Sequence, residues 1–186
     1  MSQLLRFDGV SLRRGGRLLF EGLDLEIDAG DALHVAGPNG SGKSSLIRLA
    51  AGLLRAERGR VERSRLALAD DDLALDRELP LRQALAFWGT ARQSLDSMGL
   101  AELADVPVRL LSSGQAKRAT LARVIGSGAP LWLLDEPLNA LDRDGAARLG
   151  RLIEKHRLAG GAIVAASHLP LSGDWRTLEL GQCSGR

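Results

Sequence analysis

The eight residues Gly37-Pro38-Asn39-Gly40-Ser41-Gly42-Lys43-Ser44 have the composition and spacing of a phosphate cradle. The glycines let the backbone turn so that successive N–H groups face phosphate oxygens. The helix that follows adds the partial positive charge of its N-terminus. Lys43 is a compact cation able to reach the outer phosphates of a nucleotide, and Ser44 offers a hydroxyl to Mg²⁺. Asp135 and Glu136 follow a short apolar run, which puts two carboxylates where ligands sit in open α/β sheets. Asp135 suits the metal, and Glu136 suits orienting or deprotonating an attacking water. His168 comes two residues after a second apolar run, at the same expected edge, within reach of a terminal phosphate. An acidic pair after a strand is often a solvated turn, and such a histidine is often a cap; beside a phosphate cradle the catalytic reading takes precedence. One further run, Leu111-Ser112-Ser113-Gly114-Gln115, opens a helical segment just ahead of the acidic strand.

Regular elements must carry these groups to one place. Residues 4–12 and 23–27 alternate as half-buried strands, with Gly15-Gly16 as a turn between them and a second turn at 28–31. Residues 32–36 form a short apolar strand leading into the cradle, and 45–54 have the apolar spacing of a helix. Val61 and residues 66–69 read as short strands. From about 70 to 128 strand signals give way to helical periodicity at 79–88, 91–98 and 115–125, broken by Gly89, Gly99 and Pro107. Residues 131–134 and 162–166 are buried strands, 143–157 is an amphipathic helix ended by Gly160-Gly161, and 177–180 is a possible last strand. Strands alternating with helices predict an α/β fold with a mainly parallel core sheet, an N-terminal antiparallel β part and a helical insert.

At 186 residues the chain has room for one domain with a substantial core. A formal net charge of +2 selects no partner. The basic residues are lopsided, with 22 arginines against only Lys43, Lys117 and Lys155, so a retained lysine is informative. Cys183 is the only cysteine, which rules out an intrachain disulfide and suits a reducing compartment. Arg6 and Asp8 interrupt the N-terminus where a signal peptide needs an apolar run, and no segment approaches the ~20 apolar residues of a membrane span.

Taken in order, GPNGSGKSS, LSSGQ with AKRATLARV behind it, LLDEP, NALD (Asn139 to Asp142) and Ser167-His168 resemble the nucleotide-binding domain of ABC ATPases, from Leu4 to about Leu180. The resemblance implies a P-loop NTPase fold of ABC type, with residues 1–186 as one domain and a helical subdomain at about 71–129. It implies ATP and Mg²⁺ as ligands, with Ser45 and Gln115 joining the cradle residues in nucleotide binding. It also implies that Ser112 and Gly114 contact the γ-phosphate of ATP held in the cradle of a second copy. Two head-to-tail chains would then assemble two composite sites, with Asp142 along the seam. LAELADVPVRLLSSGQAKRATLARV, APLWLLDEPLNALDRDGAARL and GGAIVAASHLPL are similar to the cytochrome c maturation ATPases, also called heme exporter ATP-binding subunits. That similarity implies an integral membrane permease as partner, a peripheral position on the cytoplasmic face of the inner membrane, and ATP hydrolysis coupled to heme handling.

Three positions depart from the family pattern. No aromatic residue stands near Arg13-Arg14 to stack on adenine; Arg14 is a candidate through its guanidinium plane, or else an exposed arginine. The glutamine usual between cradle and insert as a Mg²⁺ contact is absent, and alignment puts Asp72 there. Ser113 replaces a glycine, which matters only if its backbone needs positive φ. Two other functions fit the motifs: the ATPase of a different small exporter, and a soluble ABC-type ATPase acting on nucleic acid. The single cradle, lack of a coiled coil and lone cysteine argue against nucleic acid. A module with little hydrolysis is a third reading, given the altered metal position.

Overall fold

The computed structural model describes residues 2–89 and 92–181. Its centre is a five-stranded parallel sheet in the order β5-β6-β7-β3-β8. These strands are β3 (Ala32–Ala36), β5 (Leu66–Ala69), β6 (Leu131–Asp135), β7 (Ala162–Ala166) and β8 (Arg176–Glu179). β6 and β7 are buried along their whole length, as continuous apolar runs between two covered faces must be. Their side chains alternate between two cores. Leu131, Leu133 and Val164 pack with α1 (Lys43–Ala51) and an antiparallel sheet, while Trp132, Leu134 and Ile163 pack with the helices on the other face.

The antiparallel sheet has the order β2-β1-β4, from β1 (Gln3–Arg14), β2 (Arg17–Asp28) and β4 (Arg58–Arg63). The first two strands run longer than their apolar alternation predicts, because the Gly15-Gly16 turn lets pairing continue to Arg14 and Arg17. β4 carries only Val61 as an apolar mark; its other five residues are exposed, so backbone pairing to β1 rather than burial makes it a strand.

The insert contains α2 (Leu81–Ala86), α3 (Arg92–Ser97) and α4 (Ser113–Gly126), with single 3₁₀ turns at Ala101–Leu103 and Val108–Leu110. Helical periodicity over 79–88 overshoots α2 at both ends: Pro80 is its N-cap, and the chain turns after Phe87. The helix expected over 91–98 is α3, with Ala91 outside the described residues, as Cys183 also is. α5 (Arg143–Leu158) then leads back to β7. The parallel register aligns Asp135 of β6 and Val35 of β3 with the same residue of β7, Ala166, so all three strands end at one edge.

At the opposite edge His156 of α5 stacks on Trp132, with ring centroids 3.8 Å apart and 10° between planes. Its Nε2 lies 3.1 Å from the Pro130 carbonyl, which fits a neutral ring donating there. Burial lowers the His156 pKa from 6.5, against the smaller raising effects of the Pro130 and Ala162 backbone. The unfolded chain therefore binds this proton more readily than the folded one. The contribution to stability is complete above about pH 6.5 and is lost as the pH falls towards the lower folded value. Denaturant midpoints measured from pH 7.5 to 5 are expected to decline for the parent and to decline less for His156→Phe. Equal slopes would assign the pH dependence to another group.

Candidate active site

The cradle is the connection from β3 to α1. Gly37 has a φ of 140°, and a Cβ there would lie 2.5 Å from the Leu180 carbonyl oxygen and 2.8 Å from Ser41 Oγ, so only glycine fits where the loop leaves the sheet. α1 starts at Lys43 with Gly42 as N-cap and no side chain capping it, so its first-turn N–H groups remain directed at the loop. Lys43 is buried, and its Nζ donates to the carbonyls of Gly37 (2.8 Å) and Pro38 (3.2 Å), which bends the ammonium over the loop. A cleft of about 330 Å³ opens above, lined by Asn39, Gly40, Lys43, Ser44, Ser45 and Glu136, with Arg14 and Leu19 on its wall. Arg14 sits 3.5 Å from Ser45 Oγ, so the candidate for base stacking borders this cleft.

Ser44 Oγ donates to Asp135 Oδ1 at 3.0 Å, across 91 residues of sequence. Asp135 closes β6 and is 3% exposed. Burial pushes its carboxyl pKa up, opposed by the Ser44 hydrogen bond, with Asp71 adding to the rise. Glu136 extends the β6–β7 ladder by one N–H bond to the Ala166 carbonyl at 2.8 Å, then turns at a φ of 44°. That left-handed backbone is costly for a residue with a side chain, and such strain collects at sites where geometry matters. It directs the Glu136 carboxylate towards the end of β7. There Oε2 accepts from His168 Nδ1 at 2.8 Å and from the His168 N–H at 3.3 Å. Lys43, Ser44, Asp135, Glu136 and His168, read separately along the sequence, thus converge.

The acidic run that alignment sets in place of the usual glutamine, Asp72 included, follows β5. β5 pairs with β6 up to Ala69 and Leu134, so the acidic residues after it emerge beside Asp135. Asp71 and Asp72 are both exposed, and Asp71 is the largest single charge effect on both Asp135 and Lys117.

The LSSGQ run folds as a helix start. Ser112 is the N-cap of α4: its Oγ accepts from the Gln115 N–H at 3.3 Å, and the Gln115 side chain accepts from the Ser112 N–H at 2.9 Å. Gln115 is thereby occupied within its own chain. Ser113 is the first helical residue and is absent from the residues of positive φ, so a serine replaces the family glycine there without strain. Gly114 meets a tighter limit, because a Cβ would stand 2.8 Å from the Ala140 carbonyl oxygen. Ser112 is exposed, and no residue from 111 to 115 lines the cleft over the cradle. Asp142 caps α5 by accepting from the Gly145 N–H at 2.8 Å and pairs with Arg118 of α4 at 2.5 Å. The Gly145 backbone bond, followed by Arg118, holds its carboxyl below the usual range.

Two buried cations on α4 were not singled out by any motif. Lys117 donates to the Asp135 carbonyl at 3.2 Å, and Arg123 donates to the Leu68 carbonyl at 2.8 Å while lying over the Trp88 ring. For Lys117 the scarcity of lysine is the signal that points to it.

Residues 20–139 match the family model described as ABC transporter. Among curated proteins, the chain is 55% identical to the cytochrome c biogenesis ATP-binding export protein CcmA of Sphingopyxis alaskensis, over 92% of this chain and 93% of that one. It is 56% identical to the CcmA of Novosphingobium aromaticivorans over 88% and 87% of the two chains, and 49% identical to that of Zymomonas mobilis over 95% and 87%. Among solved structures, a chain of an ABC transporter in an inward-facing conformation superposes with a TM-score of 0.85 at 25% identity, over 97% of this chain and 81% of that one. An ATP-binding subunit of an ABC transporter superposes at 0.83 and 20% identity, over 89% and 80%, and supports the fold alone. The chain belongs to the ABC transporter ATP-binding family and, within it, to the cytochrome c biogenesis ATP-binding export proteins.

Proposed function

We propose that this chain is the ATP-hydrolysing, energy-coupling subunit of a membrane ABC transporter for cytochrome c biogenesis, with heme handling as the process it drives. It works as a head-to-tail pair of identical chains. The observation that carries the pairing is the separation within one chain: the cradle, Asp135, Glu136 and His168 converge at one sheet edge, while the exposed Ser112 lies outside that cleft. A signature that lines no part of its own site is free to complete another.

In the proposed reaction the backbone N–H groups from Asn39 to Ser45 and the Lys43 ammonium hold the phosphates of ATP. Mg²⁺ fits the donor set, because Ser44 Oγ and the Asp135 carboxylate are hard oxygen ligands 3.0 Å apart and the buried carboxylate has no ion pair among the described residues. Bound there, the ion would offset charge on the phosphates. Glu136 accepts the proton of the attacking water, and His168 orients Glu136 through its Nδ1 contact. Ser112 and Gly114 reach the γ-phosphate in the partner's cradle, and Gln115 serves them by capping. Of the acidic stretch that includes Asp72, Asp71 is the member whose charge reaches Asp135. Residues 1–186 act as one ATP-binding domain whose helical subdomain, about 71–129, faces an integral permease. Phe87, 84% exposed at the end of α2, supports that docking face, as does the lack of any membrane-spanning helix among the described residues. Such a subunit is peripheral, on the cytoplasmic face of the inner membrane.

Glu136→Gln is expected to lower ATP turnover by at least about a hundredfold while letting ATP and Mg²⁺ drive a stable dimer, read by sedimentation. A protein that stays monomeric under saturating ATP and Mg²⁺ would contradict the paired mechanism.

The raised Asp135 pKa has its own consequence. A carboxyl titrating higher in the folded chain than in the unfolded one is a cost at neutral pH, and stability falls as the pH rises through that value. Asp135→Asn keeps an acceptor for Ser44 without the buried charge. The nucleotide-free variant is expected to melt higher, by about 2–4 °C for each kcal/mol gained, while losing Mg²⁺-dependent hydrolysis. An equal or lower melting point would mean that the carboxylate is not strained by burial.

A further inference from the structure

Lys117 lies in the second turn of α4, five residues after Ser112, and is only 9% exposed. Its Nζ makes a 3.2 Å hydrogen bond to a neutral acceptor, the Asp135 carbonyl. Burial lowers its pKa, and Asp71, Asp135, Asp70 and Glu136 oppose that through their charge. A buried ammonium is a poor way to fill space, since an apolar side chain would pack there without the desolvation cost. What the ammonium provides is a directed tie. Two paths meet at Asp135: its carboxylate accepts from Ser44 of the chain's own cradle, and its carbonyl accepts from Lys117 of the signature helix.

The surrounding contacts point the same way. Between Asp135 and Asp142 the chain holds two residues in left-handed backbone, Glu136 at a φ of 44° and Ala140 at 62°. Such conformations persist only when neighbours over-determine them. α4 supplies those neighbours: Gly114 admits the Ala140 carbonyl at its face, Arg118 pairs with Asp142, and Lys117 holds the strand end before Glu136. Lys117 is the one of the three that acts on the residue bonded to the cradle.

We infer that Lys117 is a positioning residue that sets the opening of α4, and with it Ser112, at a fixed spacing from Asp135 and Glu136. Since Ser112 serves the partner's nucleotide and Asp135 the chain's own, Lys117 couples the two ATP sites of the pair. This rests on the composite-site reading above. Without the tie, ATP still enters each cradle, but the filled cradle no longer places the signature for the neighbouring site.

The test uses the full chain carrying Glu136→Gln, with and without Lys117→Met. Three quantities are read: affinity for a fluorescent ATP analogue at dilutions where the chain is monomeric, the dimer dissociation constant with ATP and Mg²⁺, and the Hill coefficient of ATP-driven dimer formation. Lys117→Met is expected to leave monomer affinity within about twofold, weaken the dimer about tenfold and bring the Hill coefficient towards 1, the size of effect that losing a hydrogen bond from a charged donor produces. Lys117→Arg, which keeps a cationic donor on α4, is expected to recover most of the loss. An undiminished dimer in Lys117→Met overturns the proposal. So does a parallel fall in monomer affinity, melting point and dimerisation, which marks a merely structural lysine, and so does an arginine variant as weak as the methionine one. If Lys117→Met fails to fold, Lys117→Gln, whose shorter amide falls short of the carbonyl, carries the same three readings. A parent Glu136→Gln chain that never dimerises instead defeats the composite-site reading, and this proposal with it.

Discussion

The structure is organised around a carboxylate kept almost out of water at the end of a central strand. Asp135 is placed there by the β6–β7 register, which continues one step further into the Glu136 N–H bond to Ala166. Burial opposes its ionisation, the Ser44 hydroxyl is the bond that offsets this, and of the charges around it Asp71 and Glu136 oppose ionisation while Arg48 favours it. A carboxylate in that state favours a divalent cation held against phosphates, and the cradle beside it is built to bind phosphates. The strain at Glu136, its contact with His168 and the tie from Lys117 all radiate from the same strand end.

Much of this was legible in the sequence because each part is local chemistry in contiguous residues. The cradle announces itself through glycine spacing, the acidic strand end through an apolar run stopped by two acids and a proline, and His168 through its distance from the next apolar run. The parallel core follows from the same runs, since only strands covered on both faces are apolar at every position. Ser113 stands where the family pattern has a glycine. Its place as first residue of α4 makes the serine free of backbone strain, because a helix start asks for no positive φ.

Other features were hidden because their cause is tertiary. β4 is a strand through pairing with β1, and its RGRVER sequence carries almost no strand signal. The acidic run after β5 is uniform, so which aspartate acts on Asp135 depends on where β5 ends. Gln115 reads as a ligand of the nucleotide by family pattern, and the structure adds that its Oε1 accepts from the Ser112 N–H, an arrangement visible only once α4 has a defined first turn. Burial of Lys117 and Arg123 has no periodic signature, since both sit on a helix whose other faces mix polar and apolar residues.

The central claim is that the signature of one chain meets the cradle of another. It is tested most directly with two preparations of chain in which Cys183 is replaced by serine, one carrying Asn39→Cys and the other Ser112→Cys. Mixed with ATP, Mg²⁺ and a short thiol crosslinker, the two are predicted to form a crosslinked dimer containing one chain of each kind, in far higher yield than without ATP. Neither preparation alone should do so. No mixed dimer, the same yield without nucleotide, or efficient crosslinking of Ser112→Cys chains to one another would contradict the head-to-tail pair.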